Sequence, residues 1–280
     1  MTQNDMKLDP ALAAALVRLR AAIAQHGPMV VAYSGGVDSG LLAKVAHGVL
    51  GSERMRCVIG VSPSLASGEE AAALAFLDAH GIPYVRIATL EVDDPRYRAN
   101  TPDRCYFCKS ELFERIESSP ESRVFPVLAY GANADDRLDF RPGARAAREY
   151  GVVAPLAETD FTKAMVRAAA RALDLVLWDK PASPCLASRI PYESAVTPEK
   201  LSQVDRAERV LKEFGFSVCR VRHHGDTARI EVPADELDRL RGDAWPEIER
   251  GVRAAGFANV DIDPRGFASG RLNEALRRSP

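Results

Sequence analysis

The sequence predicts an α/β protein built on a parallel sheet with helices on both faces, followed by a smaller α+β domain. Short apolar runs alternate with helical stretches through the first 180 residues, as they do where right-handed helical crossovers join parallel strands. After residue 196 a long helical pattern is followed by two alternating runs around a turn. We therefore expect domains at 1–180 and 197–280, joined by a Pro-containing linker over 181–196.

The elements of the large domain follow from short apolar runs and from helical periodicity. An Ala/Leu-rich pattern predicts a helix over 8–26, ahead of the first strand. The predicted strands are 29–33, 56–62, 83–88, 124–131 and 152–154. The predicted helices between them are 39–50, 68–80, 109–118, 142–150 and 161–173. Ligands of such sheets bind beyond the carboxyl ends of the strands, so the loops there are the first candidates for a site.

The small domain begins with a helix over 197–214, where Thr197 is the expected N-cap and Gly215 follows the end. Alternating runs at 216–222 and 227–232 flank His224-Gly225-Asp226 and predict a hairpin. A helix over 234–255, interrupted near Gly242, and a short strand at 258–262 complete the pattern.

Composition and charge argue against several classes of partner. The 280 residues are 46% hydrophobic and 27% charged, with a formal net charge of −2, which is ordinary for a globular protein. This charge gives no electrostatic reason to expect a nucleic acid or a membrane surface as partner. No apolar run is long enough to span a membrane, and no export signal is visible. We therefore expect a cytoplasmic protein.

Five cysteines are an odd number, and without an export signal structural disulfides are not expected. Cys57 and Cys219 lie in strand-like runs and are interpreted as core residues. Cys105 and Cys108 form a C-x-x-C, which places two thiols within reach of one metal or of each other. A zinc site would need two further ligands, and the adjacent pair His223-His224 would point in opposite directions at a hairpin end.

The segment Ser34-Gly35-Gly36-Val37-Asp38-Ser39 connects the first predicted strand to a helix. Its two glycines let backbone N–H groups approach an anion, and the helix that follows presents the positive end of its dipole. The serine hydroxyls can also donate to phosphate oxygens. No lysine closes the segment, so it is not a Walker A loop. Asp38 is expected to hold Mg²⁺ or to position the loop; the alternative is a simple helix cap.

The loop at 131–143 contains further candidate site residues. In the segment 131–143, Asn133, Asp135 and Asp136 could hold a metal or the substrate, and Arg137 or Arg141 could meet an anion. Turn formation alone favours the same residue types.

The linker carries Cys185 between prolines, with Lys180 and Arg189 nearby. Positive charge favours the thiolate, for nucleophilic attack or metal binding. A lone loop cysteine can also be incidental.

Together these segments resemble the LarE family of ATP-dependent sulfur transferases, which make the nickel-pincer nucleotide cofactor of lactate racemase. The matching stretches are SGGVDS at 34–39, RCYFCK at 104–109, GANADDRLDFRPG at 131–143, FTKAMVR at 161–167 and PCLASRIPY at 184–192. The first stretch alone is shared with GMP synthetases, NAD synthetases and tRNA thiolases. The combination of RCYFCK with CLASRIPY is more specific. The resemblance implies a PP-loop ATP-pyrophosphatase domain with an adenine-nucleotide α-hydrolase-like fold.

The resemblance also implies the reaction. ATP adenylates a carboxylate of pyridinium-3,5-biscarboxylic acid mononucleotide, and sulfur from Cys185 then displaces AMP, which leaves dehydroalanine on the protein. In a second version, implied for members with three cysteines, Cys105, Cys108 and Cys185 hold a 4Fe–4S cluster that carries an extra sulfide. Both versions stay open, as does an incidental or redox-active C-x-x-C.

The implied site residues extend over both domains. ATP and Mg²⁺ would bind at 34–39, with Asp38 and Cys185 as the catalytic pair. The substrate and its phosphate would meet Ser188, Arg189, Arg220, Arg222, Asp136 and Lys163. Arg220 and Arg222 are two apart on a strand and so face the same side, although a solvated face with ordinary salt bridges is the alternative. Glu208 and Glu231 are weaker candidates for metal contact. The family also suggests a homo-oligomer.

Two other classes of function remain as alternatives. A different adenylating enzyme on the same loop would be a tRNA thiolase or an amide synthetase. The net charge disfavours the first, and no glutaminase domain supports a GMP-type synthetase. A regulator that binds ATP without turnover is the second class.

Overall fold

The computed structural model describes residues 9–137 and 142–268. Their chain forms two compact units. The large unit consists of the described residues up to Ser62 and within 68–91 and 105–183, and the small unit of those within 63–67, 92–104 and 184–268. The small unit thus takes two segments from the first half of the chain. The domain boundaries expected at 181 and 197 stay a prediction.

The large unit contains a four-stranded parallel sheet. Its strands are β1 Met29–Ala32, β2 Met55–Val61, β3 Tyr84–Ala88 and β4 Val127–Tyr130, and their spatial order is β3-β2-β1-β4. The chain leaves β1 for β2 on one side, whereas β4 is added on the other side. A crevice is expected at such a switch point, beyond the carboxyl ends of β1 and β4.

Helices lie before, between and after these strands. Their bounds are α1 Pro10–His26, α2 Val37–Leu50, α3 Ser67–Ala79, α4 Pro95–Arg98, α5 Arg104–Glu117, α6 Pro120–Val124, α7 Pro142–Glu149, α8 Pro155–Glu158 and α9 Lys163–Ala172. None of the helices within the described ranges has both the length and the apolar composition that crossing a membrane requires.

Both faces of the sheet are covered. Successive side chains of a strand point to opposite faces, and in β1 the residues Met29 and Val31 join the core formed with α1, α2, α3 and α9. Val30 instead packs with Phe113 and Ile116 of α5 in a second cluster. Each face of the sheet is therefore apolar, as in a buried parallel sheet. The predicted α/β architecture with helices on both faces is confirmed.

Three predicted elements of the large unit differ from the structure. The strand expected at 124–131 begins only at Val127, because Pro120 starts a short helix before it. The strand expected at 152–154 is a single bridge from Val153 to Ala129, since the chain turns into α8 at Pro155. The helix expected at 109–118 begins at Arg104, so Cys105 and Cys108 are helical.

The small unit contains a three-stranded mixed sheet, which confirms the predicted α+β region. Its elements are α10 Pro198–Glu213, β5 Arg220–His224, β6 Thr227–Glu231, α11 Leu237–Leu240, α12 Trp245–Ala254 and β7 Asn259–Ile262. Strands β5 and β6 form the hairpin, and β7 pairs with β6 in parallel. Thr197 caps α10 by accepting from the amide of Lys200 at 3.3 Å, as predicted.

Candidate active site

The turn between β1 and α2 has the backbone of an anion cradle. Gly35 has a φ of +73°, and a Cβ there would lie 3.0 Å from the Cβ of Ala73, so both conformation and space favour glycine. Gly36 is the N-cap of α2. The first amides of a helix have no intrahelical acceptor, and together with the helix dipole they favour an anion at this place.

The two serines of the turn bond to each other. The Ser39 hydroxyl accepts from the amide of Ser34 at 3.2 Å and lies 3.1 Å from the Ser34 hydroxyl. It also donates to the carbonyl of Gly36 at 3.2 Å. Ser39 is buried, so its hydroxyl closes the turn internally. The expected phosphate contacts of both serines stay a prediction.

The end of β4 approaches this turn closely. A Cβ at Gly131 would lie 2.6 Å from the backbone nitrogen of Ser39 and 2.7 Å from its Cα. Only a residue without a side chain fits there, because real Cβ contacts do not come this near. The segment that begins at Gly131 therefore lies beside the first turn of α2.

Asp38 is held by two side chains from distant parts of the chain. Its Oδ1 accepts from Nδ2 of Asn133 at 3.0 Å, and its Oδ2 forms an ion pair with the ammonium of Lys163. The N-cap of α2 is Gly36, so Asp38 does not cap the helix. A fixed carboxylate beside an anion cradle can hold a cation or orient the lysine.

The polar segment after β4 folds on itself. The amide of Asn133 donates to Asp136 at 3.0 Å, and the amide of Asp135 donates to Oδ1 of Asn133 at 3.0 Å. These bonds support the turn-forming interpretation. The amide of Lys163 also donates to Asp135 at 2.8 Å, which ties the start of α9 to the same segment.

Both arginines of this segment were predicted to meet an anion, but the structure describes only Arg137. Arg137 pairs with Asp160 at 3.0 Å and also donates to the carbonyl of Ala157, so the described contacts of its guanidinium are made within the protein. Arg141 lies outside the described residues.

Lys180 is a residue of this site that sequence reasoning placed elsewhere. Its ammonium donates to the carbonyl of Gly35 at 2.9 Å and pairs with Glu69 at 2.8 Å. The sequence suggested a role beside Cys185 because the two are five residues apart. No local pattern could indicate a partner 145 residues away.

The C-x-x-C motif lies near the start of α5. Cys105 is exposed and Cys108 is half-buried. Residues three apart on a helix are neighbours on one face, so the two thiols fit a shared metal or cluster as far as donor type and spacing go. Within residues 9–137 and 142–268, no group of three or more His, Cys, Asp and Glu side chains is placed to hold a metal ion. The Mg²⁺ and cluster sites stay predictions.

Cys185 immediately precedes a 3-10 helix, Leu186–Arg189, and is half-buried. Arg189 is only 2% exposed, and its Nη1 donates to the carbonyls of Pro184 at 2.5 Å and Cys185 at 3.1 Å. Its Nε and Nη2 donate to the carboxylate of Glu208 at 2.8 and 3.0 Å. We call residues 184–190 the cysteine turn. Arg189 therefore holds two successive backbone carbonyls of the cysteine turn, those of Pro184 and Cys185.

Ser188 and Arg222, both predicted to bind substrate, are neighbours at the cysteine turn. Nη1 of Arg222 donates to the carbonyl of Ser188 at 2.9 Å. Its Nη2 donates to Glu231 at 2.8 Å. Both carboxylates that were proposed for metal contact, Glu208 and Glu231, are therefore paired with arginines in this conformation, and their metal role stays a prediction.

Arg220 is buried on the same strand as Arg222. Its guanidinium lies 5.2 Å from the ring centroid of Phe267 and donates to the carbonyl of Cys219 at 2.7 Å. Burial, with a smaller contribution from the charge of Arg189, lowers the pKa of Arg220. A cation held at such an unfavourable place is suited to meet an anion. Its phosphate-binding role stays a prediction.

The remaining cysteines are core residues, as predicted. Cys57 lies in β2 and Cys219 just before β5, and both are fully buried. Burial raises the pKa of Cys219 to about 12 and raises the pKa of Cys57 as well. Their thiolates are therefore disfavoured, and neither is a reactive thiol.

Comparison with known proteins identifies the family. No protein-family model matches the chain. An uncharacterized protein of Synechocystis sp. is 40% identical over 264 residues, which cover 94% of this chain and 98% of the relative. A pyridinium-3,5-bisthiocarboxylic acid mononucleotide synthase of Lactiplantibacillus plantarum is 35% identical over 272 residues, which cover 96% and 97%. The chain belongs to the LarE family.

This membership confirms the resemblance to the LarE family that the five matching stretches indicate. An uncharacterized protein of Methanocaldococcus jannaschii extends the similarity, with 27% identity over 84% of this chain and 88% of that relative. The similarity to the LarE synthase runs through both compact units, because it covers nearly the whole of both chains.

Proposed function

We propose that this chain is an ATP-dependent sulfur transferase that converts the carboxylates of pyridinium-3,5-biscarboxylic acid mononucleotide into thiocarboxylates. The product would serve the nickel-pincer cofactor of lactate racemase. One observation carries the proposal: the relative that matches 96% of the chain is named as the synthase of the bisthiocarboxylic acid mononucleotide. The β1–α2 turn and the cysteine turn supply the two chemical requirements, which are a phosphate cradle and a sulfur atom.

The first step is activation of the substrate carboxylate. ATP binds with its phosphates at Ser34–Ser39, where the first amides of α2 stabilise negative charge. Asp38 would hold Mg²⁺, since a carboxylate oxygen is a ligand that this ion prefers, and Mg²⁺ would neutralise phosphate charge. A substrate carboxylate oxygen attacks the α-phosphorus, the acyl adenylate forms and pyrophosphate leaves. Lys163 and Asp136 lie in the same unit and are proposed to orient the reacting groups.

The second step transfers sulfur. The Cys185 thiolate attacks the acyl carbon and AMP leaves, which gives a thioester. Loss of the Cα proton and cleavage of the Cβ–S bond then leave sulfur and its electron pair on the product as a thiocarboxylate, and dehydroalanine on the protein. A second round on the other carboxylate gives the dithio product. Arg220, Arg222, Ser188 and Arg189 are proposed to hold the substrate phosphate, and Glu208 and Glu231 to contact a metal.

The second version of the proposal assigns the sulfur to a cluster. Cys105 and Cys108, on one face of α5, and Cys185 would hold a 4Fe–4S cluster. When bound, this group supplies an extra sulfide at its open iron. Cys185 would then survive turnover, because the sulfur comes from outside the protein.

The proposal also covers the organisation of the molecule. ATP chemistry is assigned to 1–180, the reactive cysteine to the linker 181–196 and substrate phosphate binding to 197–280. We further propose a homo-oligomer that acts in the cytoplasm on a small-molecule nucleotide. Light scattering on the eluting protein measures the oligomeric state, and a monomer would contradict that part.

Exchange of labelled pyrophosphate into ATP tests the activation step. We expect exchange only when the pyridinium dicarboxylate mononucleotide is present, because the acyl adenylate must form before the step can reverse. A regulator would give no exchange with any acceptor. A tRNA thiolase or an amide synthetase would respond to another acceptor, and either outcome would overturn the proposal.

Intact mass after turnover identifies the sulfur donor. Loss of about 34 Da, the mass of H₂S, indicates that Cys185 is consumed. An unchanged mass, with iron in protein purified without oxygen, indicates the cluster. Cys185→Ala should stop sulfur transfer and spare pyrophosphate release in both versions. The double variant Cys105→Ala/Cys108→Ala should stop transfer only in the cluster version.

A further inference from the structure

We propose that Asn100 and Arg104 are positioning residues that hold the cysteine turn in the conformation needed for sulfur transfer. The inference rests on the proposed function and deepens it. It names two residues, more than 80 positions away from the turn, that would set the rate of the sulfur step without touching the reacting atoms.

Asn100 binds the chain that follows the cysteine turn. Its Nδ2 lies 2.7 Å from the carbonyl of Pro191 and 2.9 Å from that of Ser194, with the carbonyl of Ile190 at 3.3 Å. Asn100 is fully buried and has a φ of 55°. Few residue types other than glycine adopt this conformation, and asparagine is one of them. The position therefore uses both the backbone and the amide of asparagine.

Arg104 connects Asn100 to the turn itself. Its Nη1 donates to Oδ1 of Asn100 and, at 2.9 Å, to the carbonyl of Ala187. Arg104 is only 4% exposed. Ala187 lies two residues after Cys185 within the 3-10 helix, and its carbonyl also accepts from the amide of Ile190 at 3.1 Å. Arg104 thus holds the short helix that immediately follows Cys185.

Backbone contacts from the same segment support these side chains. The amide of Glu193 donates to the carbonyl of Asn100 at 3.3 Å, and the amide of Val196 donates to that of Arg98 at 2.9 Å. The amide of Leu186 donates to the carbonyl of Ser64 at 2.9 Å. The segments 63–67 and 92–104 belong to the small unit. They do so because these hydrogen bonds join them to residues 186–196 of the same unit.

The cysteine turn is therefore held from two directions. Arg189 holds it from within and is anchored on Glu208, whereas Arg104 holds it from a distant part of the chain. A nucleophile must lie near its target before it reacts, and a misplacement of about 1 Å can slow a reaction about 100-fold. Loss of the second anchor should act on sulfur transfer and leave adenylation unchanged.

Asn100→Gly is the sharpest variant, because glycine adopts a positive φ without strain and only the amide is lost. Arg104→Lys keeps the positive charge but loses the planar guanidinium group and its several donors. It should retain more sulfur-transfer activity than Arg104→Met, which loses the charge as well. We expect Asn100→Gly to slow thiocarboxylate formation by about 10- to 100-fold, with unchanged pyrophosphate exchange and unchanged KM for ATP. Arg96→Gln is the matched control, since Arg96 is exposed and pairs with Asp94 in the same segment.

A second readout does not depend on the reaction. Alkylation of Cys185 by iodoacetamide, followed by peptide mass mapping, should be faster in Asn100→Gly than in the wild type and the control. Unchanged alkylation with an unchanged ratio of transfer to exchange would overturn the inference. An equal loss of transfer and exchange would show a merely structural role and would also overturn it. Wild-type protein without any exchange would instead refute the proposed function, while the alkylation still tests the anchor.

Discussion

At the scale of single residues, the carboxylate of Asp38 is held in one orientation by side chains from distant parts of the chain. Its carboxylate lies in the first turn of α2, where the helix dipole favours negative charge. Asn133 and Lys163 fix its two oxygens. A carboxylate that is already oriented loses little freedom when it takes a cation, which is what a preorganised site requires.

Replacing Asp38 should separate chemistry from folding. Asp38→Ala should lower pyrophosphate exchange at least about 100-fold, because a preorganised charge is lost. The melting temperature should stay near that of the wild type, since the backbone and the glycines make the turn. The exposed Glu53 gives the matched control, Glu53→Ala. A collapsed fold would show that Asp38 is structural.

Gly131 gives a prediction about close packing. Gly131→Ala should lower the free energy of unfolding by about 1–3 kcal/mol, because a Cβ would overlap the backbone at Ser39. The KM for ATP should also rise, since the shifted backbone belongs to the cradle. Gly48→Ala is the control. Gly48 lies in α2, as Ser39 does, but a Cβ at Gly48 would meet open space, so this substitution should be neutral or stabilise the fold by about 0.5–1 kcal/mol. Urea unfolding of both variants measures the difference, and equal effects would contradict the steric argument.

Residues of the site divide according to how far apart their partners lie. The turn at 34–39 could be predicted because strand, glycines and helix are contiguous in the sequence. The pairing of Asp38 with Lys163 spans 125 residues, and that of Lys180 with Gly35 spans 145. Only the fold brings such partners together. Lys163 was named through family resemblance, whereas the contacts of Lys180 with Gly35 and Glu69 were not predicted.

At the scale of elements, one buried ion pair ties the cysteine turn to α10. The side chains of Arg189 and Glu208 are only 2% and 3% exposed. Glu208 also accepts from the amide of Val221 at 3.0 Å, which brings β5 into the same connection. Three elements of the small unit therefore depend on one carboxylate.

Breaking this pair should destabilise the small unit strongly. Arg189→Met leaves a buried carboxylate without its cation, and the expected loss is about 3–5 kcal/mol. Arg253→Met provides the control, because Arg253 and Glu249 form a pair on α12 whose side chains are 47% and 31% exposed. Such surface pairs contribute about 0.5 kcal/mol. Similar losses in both variants, measured by urea unfolding, would refute this account.

Element boundaries show where sequence patterns fail. The apolar run at 152–154 has the composition of a strand, yet only Val153 pairs with the sheet, because Pro155 starts a helix and ends the run. Cys105 and Tyr106 have modest helix propensity. They are helical because Phe113 and Ile116 of the same helix are buried against the sheet, and packing overrides propensity there.

At the scale of the whole molecule, histidine titration links stability to pH. Burial, as the largest cause, lowers the pKa of His47, His80, His223 and His224 below the usual 6.5. The unfolded chain therefore binds more protons than the folded one between those lowered values and pH 6.5. By linkage, the stability from these neutral histidines is complete above about pH 6.5 and is lost as the pH falls through that window.

Urea unfolding at several pH values tests this linkage. The midpoint should fall as the pH is lowered from about 7.5 to about 5.5. In the His223→Gln variant the urea midpoint should fall less steeply with pH, because the buried imidazole no longer titrates. The introduced glutamine can still form a hydrogen bond with Gln203. A midpoint that rises on acidification would contradict the sign.

The fold class could be predicted from the alternation of strands and helices, but the strand order could not. Local patterns do not show that β4 pairs with β1 on the side away from β2. They also do not show that 63–67 and 92–104 join the small unit. Both segments lie inside a region of regular alternation, and the contacts described above join them to residues more than 80 positions later.

Gly36, as the N-cap of α2, has no side chain with which to satisfy the amides of the first helical turn. A nucleotide bound at Ser34–Ser39 would act as a removable cap and complete the helix. Occupancy should then slow hydrogen exchange at those amides and raise the melting temperature together. A substitution that installs a permanent cap, such as Gly36→Ser, would gain stability at the expense of the affinity that the same N–H groups provide.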